Sequence, residues 1–301
     1  MDGKAVFEQV LILFLVMLVG LYARKRDIIG EGLSKSLSAL ILKITMPFTI
    51  IVSFHFDFSK EMAVNSAVLF GVALGIHFLS VLLGTVLYHK YPTQKRNVLK
   101  FITIFSNCAF MGFPVLDSIY GRIGIFYASI YVMTFNIFVW TYGIMLFSED
   151  GQKDLKKAFL NPGILSVGIG LVIFLFSIQL PRPILQILEM VGSLTSPLAM
   201  MIVGALLAEV SLKELFADFL IYYGTFIRLI VIPVISLLIL NLFKLPEIIV
   251  NVSVILSAMP AAANTAIFAE TYQADSLFAS RIIAISTLFS LLTIPLIILF
   301  I

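Results

Sequence analysis

The stretch Asn107-Cys108-Ala109-Phe110-Met111-Gly112-Phe113-Pro114 lies in the middle of an apolar run that extends from about Val98 to Ile119. An amide, a glycine and a proline are atypical of a continuous helix in lipid. Pro114 lacks a backbone donor and crowds the preceding turn, and Gly112 weakens a helix locally. A loosened backbone at membrane depth is tolerated only inside protein or beside a watery cavity. The stretch therefore predicts an interrupted helix that forms half of a buried site.

The composition is that of a protein that spans a membrane many times. Of the 301 residues, 60% are hydrophobic and 12% are charged, and the mean hydropathy is +1.09. Apolar runs of 18 or more residues recur along the chain, and each could cross a hydrocarbon core of ~30 Å. The single cysteine, Cys108, excludes an intramolecular disulfide and a cysteine-built metal cluster. Ala5–Ala23 is predicted to be a retained first helix rather than a signal peptide.

Ten spans are the most economical division of the apolar runs, and they predict an all-α integral membrane protein. They are placed near residues 5–23, 33–54, 63–88, 98–119, 122–147, 159–179, 185–208, 216–241, 247–269 and 277–300.

Loop charges predict the orientation of these spans. One side holds twelve basic residues: Arg24, Lys25, Arg26, Lys35, Lys90, Lys95, Arg96, Lys100, Lys153, Lys156, Lys157 and Lys213. The other side holds five: Lys4, Lys60, Arg122, Arg182 and Lys244. The positive-inside rule places the richer side in the cytoplasm and both termini outside.

The spans also divide into two halves of five. Residues 1–147 would form a first repeat, 148–158 a short cytoplasmic loop and 159–301 a second repeat. An odd number of spans per half inverts the second half in the membrane, as in many secondary transporters. The sequence predicts matched interruptions in the two halves. They are Pro47 and the stretch at 107–114 in the first half, and the motifs Ser193-Leu194-Thr195-Ser196-Pro197 and Pro260-Ala261-Ala262-Ala263-Asn264 in the second. The alternative is that prolines, common in membrane helices, line up by chance.

The predicted site combines polar residues and helix ends at these interruptions. Two broken helices that cross would present half-helix N-termini, which hold anions without an ionised side chain. Asn107 can donate and accept hydrogen bonds, or it caps a half-helix. Asn264 and Thr265 repeat the arrangement, whereas the three alanines before them are a packing signal first. The candidate substrate-binding residues are Asn107, Gly112, Pro114, Pro260, Asn264, Thr265, Pro47, Ser196, Pro197 and Lys43.

Ionisable residues within spans are few, and burial of each is expensive. Lys43 either faces the site as a fixed cation or extends toward the cytoplasmic interface. Arg228 and Arg281 are predicted to be interhelical partners or snorkelling groups rather than ligands. His77 either couples transport to protons or bonds to a neighbouring carbonyl. Gly71 and Gly75 indicate close helix packing.

The sequence lacks the common motifs of catalysis. It has no H-E-x-x-H, no intramembrane aspartate pair, no serine nucleophile motif with a histidine partner and no phosphate-binding glycine loop. We therefore expect no enzyme activity, no cofactor and no metal site.

Three motifs resemble a known family. Ser106–Gly121, S-N-C-A-F-M-G-F-P-V-L-D-S-I-Y-G, resembles the fourth-helix signature of the auxin efflux carrier family, which includes plant PIN exporters and bacterial malate and malonate permeases. Ala258–Tyr272, with Ser286-Thr287-Leu288 to Pro295, is similar to the ninth and tenth helices of that family. Asn161-Pro162-Gly163 resembles the start of its second half.

This resemblance implies a ten-helix, five-plus-five inverted-repeat fold with broken, crossing helices 4 and 9, and elevator-like alternating access. It implies an organic-anion substrate at the crossing, where Asn107 matches the asparagine of the family. The chain would then be a secondary transporter of small carboxylates in the plasma (inner) membrane. The alternatives are a sodium-coupled symporter of the bile-acid transporter type and a membrane ligand sensor. The expected partners are the substrate and the bilayer, with a homodimer left open and no nucleic acid.

Overall fold

The computed structural model describes residues 3–147, 160–208, 218–263, 265–272 and 274–301, and these residues are mostly helical with no strand. The predicted loop at 148–158 lies outside the described residues.

The helices follow one another along the chain with short connections. The first half contains α1 (Gly3–Lys25), α2 (Glu31–Leu40), α3 (Met46–Ser53), α4 (Lys60–Leu87), α5 (Thr93–Ile104), α6 (Gly112–Tyr120), α7 (Arg122–Phe138) and α8 (Ile144–Phe147). The second half contains α9 (Pro162–Leu175), α10 (Arg182–Gly192), α11 (Thr195–Leu207), α12 (Phe219–Phe226), α13 (Ile232–Leu240), α14 (Glu247–Ala258), α15 (Thr265–Thr271) and α16 (Ser276–Ile298). Within the described residues, three π-helical turns join consecutive helices, at Ile41–Thr45, Val139–Gly143 and Ile227–Val231.

Several of these segments have the length and apolar character of membrane spans. Within the described part of the chain, six do: Gly32–Ser53, Lys60–Leu87, Arg122–Phe147, Arg182–Leu207, Phe219–Leu240 and Ser276–Ile298. The outer face of α4 shows why such a helix belongs in lipid. Phe78, Leu82 and Val86 recur every four residues and are 60–62% exposed, whereas the polar His77 and Ser80 are buried. In a soluble protein the polar side chains of a helix face outward and the apolar ones are buried, so α4 has the reverse distribution. The chain is therefore a multi-pass membrane protein.

The chain forms two compact units, and each draws on both halves of the sequence. Unit 1 comprises Met1–Phe70, Ala109–Met133 and Phe159–Ala208, and unit 2 comprises Gly71–Cys108, Thr134–Ala158 and Glu209–Ile301. This division by packing is interleaved along the chain, so it differs in kind from the predicted repeats at 1–147 and 159–301. The repeat boundaries stay a prediction.

Unit 1 is built around the pairing of α1 with α11. A Cβ atom at Gly204 would collide with the carbonyl oxygen of Met17, and one at Gly20 with that of Met201. The two backbones therefore touch where only glycine leaves room, as at close helix crossings in membranes. The prediction that Gly71 and Gly75 mark such a contact is wrong, because a Cβ atom at either position would meet nothing within 4 Å.

Unit 2 packs α12 and its π-helical turn against α5 and α16. A Cβ atom at Gly224 would lie 2.7 Å from side-chain carbons of Leu99 and Ile282, so glycine permits this approach. The π-helical turn that follows carries the buried Arg228.

The prolines of the second and seventh predicted spans distort their helices without breaking them. Pro47 follows the π-helical turn Ile41–Thr45 and lies in the first turn of α3. There the missing N–H has little consequence. Ser193 and Leu194, before Pro197, keep helical backbone angles. The prediction of an interruption at Pro47 is therefore wrong, and breaks occur only in the fourth and ninth spans among the described residues.

Candidate functional site

The break predicted at Asn107–Pro114 is present. α5 ends at Ile104, the next residue Phe105 has extended backbone angles, and α6 begins at Gly112. Pro114 occupies the first turn of α6, where an N–H has no acceptor within the helix. The chain therefore leaves the helix for seven residues and re-enters it at the proline-containing motif.

A second break separates α14 from α15. α14 ends at Ala258, and Met259 is extended with φ −62° and ψ 147°. Pro260 explains this backbone, because the proline ring disfavours the helical conformation of the residue before it. The helix resumes at Thr265.

The two breaks are joined through their backbones within unit 2. The Asn107 N–H donates to the Pro260 carbonyl at 2.7 Å, and the Ala262 N–H donates to the Phe105 carbonyl at 3.1 Å. Ser106 and Ala261 thereby form an antiparallel bridge. Four main-chain groups released by the breaks thus satisfy one another, which lets extended backbone persist in an apolar interior.

Serine side chains satisfy further groups at the same bridge. The Ser106 hydroxyl donates to the Leu256 carbonyl at 2.8 Å, and the Ala261 N–H donates to the Ser286 hydroxyl at 3.1 Å. Both serines are buried. Sequence reasoning did not single out Ser106 and Ser286 as parts of the site, although both lie within the motifs that carry the family resemblance.

Arg228 binds both half-helices that lead into the breaks. Its Nη1 donates to the Thr103 carbonyl at 2.8 Å and its Nη2 donates to the Ser257 carbonyl. These carbonyls lie in the last turns of α5 and α14, where the helix dipole is negative. The expectation that Arg228 is an interhelical partner is confirmed.

A threonine cluster joins α3 to α11 in unit 1 beside Pro47 and Pro197. Thr195 Oγ1 lies 2.9 Å from the hydroxyl oxygens of both Thr45 and Thr49. Thr49 also donates to the Gly192 carbonyl at 2.8 Å. The two Thr-x-Pro motifs are therefore adjacent in space, and the threonines rather than the prolines make the contact.

A cavity of about 180 Å³ with a mixed polar and apolar lining lies next to this cluster in unit 1. Ser196 lines it, together with Thr49, Asp117 and the ion pair of Arg122 with Glu189, whose charged atoms are 2.7 Å apart. Both side chains of the pair are 40% exposed.

The remaining predicted residues lie in varied surroundings. Gly112 and Pro114 are buried in unit 1, and Lys43 is exposed. Thr265 is buried and donates to the Ala262 carbonyl at 2.6 Å. Asn264 lies outside the described residues. Among the candidates that the structure describes, Asn107 is joined to Pro260 directly.

His77 is a structural residue of unit 2. Its Nδ1 lies 2.7 Å from the Ala73 carbonyl, and Phe105 and Phe138 surround its ring. Of the two alternatives predicted for His77, the contact with a neighbouring carbonyl is the one that the structure shows.

Among the residues that the structure describes, no group of three or more His, Cys, Asp or Glu side chains could hold a metal ion.

Comparison with known proteins agrees with a membrane transporter. A family described as "Membrane transport protein" matches residues 5–156 and 149–298. The chain belongs to this family, which is the auxin efflux carrier family that its fourth-helix motif resembles.

Its relatives include proteins named as uncharacterized transporters. One from Methanocaldococcus jannaschii is 29% identical in an alignment that covers 96% of each chain. One from Methanothermobacter thermautotrophicus is 25% identical and covers 96% of each chain. A third, from Escherichia coli K12, is 25% identical over 94% of each chain.

Proposed function

We propose that this membrane transporter is a secondary carrier of small organic anions such as carboxylates, in the plasma (inner) membrane. The observation that carries the proposal is the bridge between the two helix breaks, where the Asn107 N–H donates to the Pro260 carbonyl. Discontinuous helices that meet at membrane depth are typical of substrate sites in secondary transporters.

An anionic substrate is supported by the charges around the breaks. Within unit 2, the Arg228 guanidinium lies at the ends of both half-helices that lead into the breaks. Positive charge favours a carboxylate. The Asn107 side-chain amide would supply a directional hydrogen bond, with Gly112, Pro114, Pro260, Asn264 and Thr265 nearby in sequence at the two breaks.

The proposal includes a ten-helix fold with two inverted repeats of five, divided as 1–147 and 159–301. Contacts between residues 150 apart support it. Thr195 donates to Thr45, and Ser106 donates to the Leu256 carbonyl, in each case across 150 positions. Equivalent residues of two repeats touch each other where a pseudo-two-fold axis passes. If the two repeats are offset by 150 residues, contacts between residues 150 positions apart are therefore expected, and both contacts have this separation.

Elevator-like alternating access is the proposed mode of transport. Its support is the division of the chain into two compact units that each draw on both halves. In such a mechanism one unit carries the substrate while the other stays fixed in the membrane. The resemblance to the auxin efflux carrier family implies the same mode.

Transport by purified protein in proteoliposomes tests the proposal. Radiolabelled dicarboxylates and aromatic acids would be screened by counterflow, which a sensor that binds without transport cannot support. We expect Asn107→Ala to lower the initial rate roughly tenfold, the effect of losing about 1.4 kcal/mol of substrate stabilisation. The main-chain bond to Pro260 would remain.

A matched control changes a buried amide that belongs to the other unit and takes no part in either break. Asn65 lies in unit 1, where its Nδ2 is 3.5 Å from the Tyr127 hydroxyl. Asn65→Ala should retain the parental rate. Flux that survives both Asn107→Ala and Pro114→Ala unchanged would place the substrate away from the helix breaks.

A further inference from the structure

Arg228 is a buried charge held by the C-terminal ends of two helices. It is 1% exposed and lies in the π-helical turn Ile227–Val231. Its guanidinium donates to the carbonyls of Thr103 and Ser257, each one residue before the end of its helix. The planar guanidinium suits this task, because its fork of donors can serve two acceptors at once.

The same carbonyls would otherwise form a place for a mobile cation. Half-helix C-terminal ends and the carbonyls of unwound backbone are the groups that coordinate Na⁺ in transporters with discontinuous helices. Here α5 and α14 direct two such carbonyls at one point of unit 2, and a side chain already supplies the positive charge there. An arginine does not lose its proton in proteins, so the charge is permanent.

We propose that Arg228 is a tethered cation that takes the position between the ends of α5 and α14 at which Na⁺ would otherwise bind. The protein then binds no Na⁺ at the helix breaks. Its helix ends stay neutralised whether or not substrate is present. The further consequence, that anion flux needs no Na⁺, rests on the proposed function.

A second contact fixes the orientation of this assembly. The Thr103 side chain lies 2.9 Å from the hydroxyl of Tyr88, which is fully buried. Thr103 is thereby held from its side chain while its carbonyl accepts from Arg228. The acceptor for the guanidinium is therefore a positioned group rather than a fraying helix end.

Melting temperatures in detergent test the inference without a transport assay. Wild type, Arg228→Met and Arg228→Lys would be compared in NaCl and in choline chloride at equal ionic strength. Methionine keeps much of the apolar volume and removes the charge, whereas lysine keeps a charge with fewer directional donors. Arg281→Met, at the partly exposed start of α16, is the matched control for loss of an arginine.

The wild type should melt at the same temperature in both salts. Arg228→Met should melt about 10 °C lower, because the carbonyls lose a buried charged partner. NaCl should raise its melting temperature relative to choline chloride. Arg228→Lys should fall between the two and show no response to Na⁺, and Arg281→Met should show none either.

Three results would overturn the inference. They are a wild-type protein that Na⁺ stabilises over choline, an Arg228→Met protein that melts like the wild type in both salts, and an Arg228→Met protein whose lowered melting temperature does not respond to Na⁺. If Arg228→Met does not fold, stabilisation of the wild type or of Arg228→Lys by Na⁺ would still overturn the inference. Carboxylate flux that requires Na⁺ in the wild type would overturn the inference while keeping the proposed function. Absence of flux in every salt would contradict only the proposed function.

Discussion

Short hydroxyl side chains hold the helices of each unit together at their distorted segments. In unit 2, Ser106 and Ser286 bond to main-chain groups at the breaks. In unit 1, Thr45, Thr49 and Thr195 bond to one another. Such bonds between membrane helices contribute roughly 0.6 kcal/mol on average and up to about 1.7. They act without the desolvation penalty of a charge, which suits an apolar interior.

The hydroxyl of Thr195 lies at the centre of the threonine cluster, and its loss should destabilise the fold. Thr195→Val removes the group that contacts both Thr45 and Thr49, while the volume of the side chain is nearly kept. We expect the free energy of unfolding to fall by about 1 kcal/mol. Thermal unfolding followed by circular dichroism would measure it.

Ser193→Ala provides the control at a neighbouring position. Its exposed hydroxyl bonds only locally, to the Met190 carbonyl at 2.8 Å. This variant should melt like the wild type. Equal melting of Thr195→Val and Ser193→Ala would contradict a stabilising role for the cluster.

At the scale of helices, glycines determine which pairs pack closely. Gly204 and Gly20 permit the contact of α1 with α11, and a Cβ atom at Gly170 would lie only 2.6 Å from the Phe54 ring. Gly168, two residues from Gly170, faces open space. Glycines on one helix thus have opposite roles, and only the packed ones constrain a neighbour.

Gly204→Ala should separate α1 from α11. The added methyl group would meet the backbone of Met17, which cannot rotate away, so we expect a loss of about 1–3 kcal/mol. The melting temperature in detergent would report it. Gly168→Ala should be neutral or slightly stabilising, because alanine is the better helix former and no atom opposes it. Similar destabilisation by both variants would point to helix propensity or lipid contact rather than to the crossing.

The beginning of α12 is fixed by a cap and an ion pair. Asp218 Oδ1 accepts from the Leu220 N–H at 2.9 Å, and Oδ2 accepts from Lys95 at 2.6 Å. Burial is the largest single influence on the pKa of Asp218 and raises it. The hydrogen bonds from Lys95 and Leu220, with the charges of Lys95 and Arg281, outweigh burial and hold the pKa below its ordinary value.

This lowered pKa gives the ion pair a defined pH window. The carboxylate stabilises the fold fully above the unfolded pKa of about 3.9, and the contribution is lost as the pH falls through the lower folded pKa. Asp218→Asn keeps a capping side chain but removes the charge. We expect the free energy of unfolding at pH 7 to fall by a few tenths of a kcal/mol, which is typical of exposed ion pairs. The variant should therefore melt slightly below the wild type.

This prediction is tested by measuring how the difference in melting temperature between wild type and Asp218→Asn depends on pH. The gap in melting temperature between wild type and Asp218→Asn should narrow as the pH is lowered below about 4. Lys95→Met should show the same narrowing, since it removes the partner. A gap that stays constant with pH would show that the charge of Asp218 does not stabilise the fold.

At the scale of the whole molecule, orientation in the membrane decides what each surface meets. Basic residues predict cytoplasmic loops after the odd-numbered spans and extracytoplasmic termini. Lys90 and Lys244 lie on opposite sides in this prediction, and both are exposed. The single cysteine, Cys108, is buried, so a Cys108→Ala background is suitable for labelling.

Impermeant maleimide applied to intact cells tests the orientation. Lys244→Cys should react directly, whereas Lys90→Cys should react only after the membrane is permeabilised. The Cys108→Ala parent, which has no cysteine, sets the background. The opposite pattern would place both termini in the cytoplasm and invert the predicted topology.

Local sequence was sufficient for the features that depend on composition. Long apolar runs predicted membrane helices, and the segment from Asn107 to Pro114 predicted a break. Proline and glycine act on their own backbone whatever surrounds them. Pro47 shows the limit of this logic, because a π-helical turn and a first-turn position absorb the same residue without a break.

Only the tertiary structure decided which groups pair across the chain. It assigned Arg228 to two helix ends, joined Asn107 to Pro260, and made Gly20 and Gly204 contact sites while Gly71 and Gly75 face open space. The physical reason is that lipid and protein interior are both apolar. A membrane helix therefore has similar residues on its packed and lipid-facing sides, and its sequence does not reveal its neighbours.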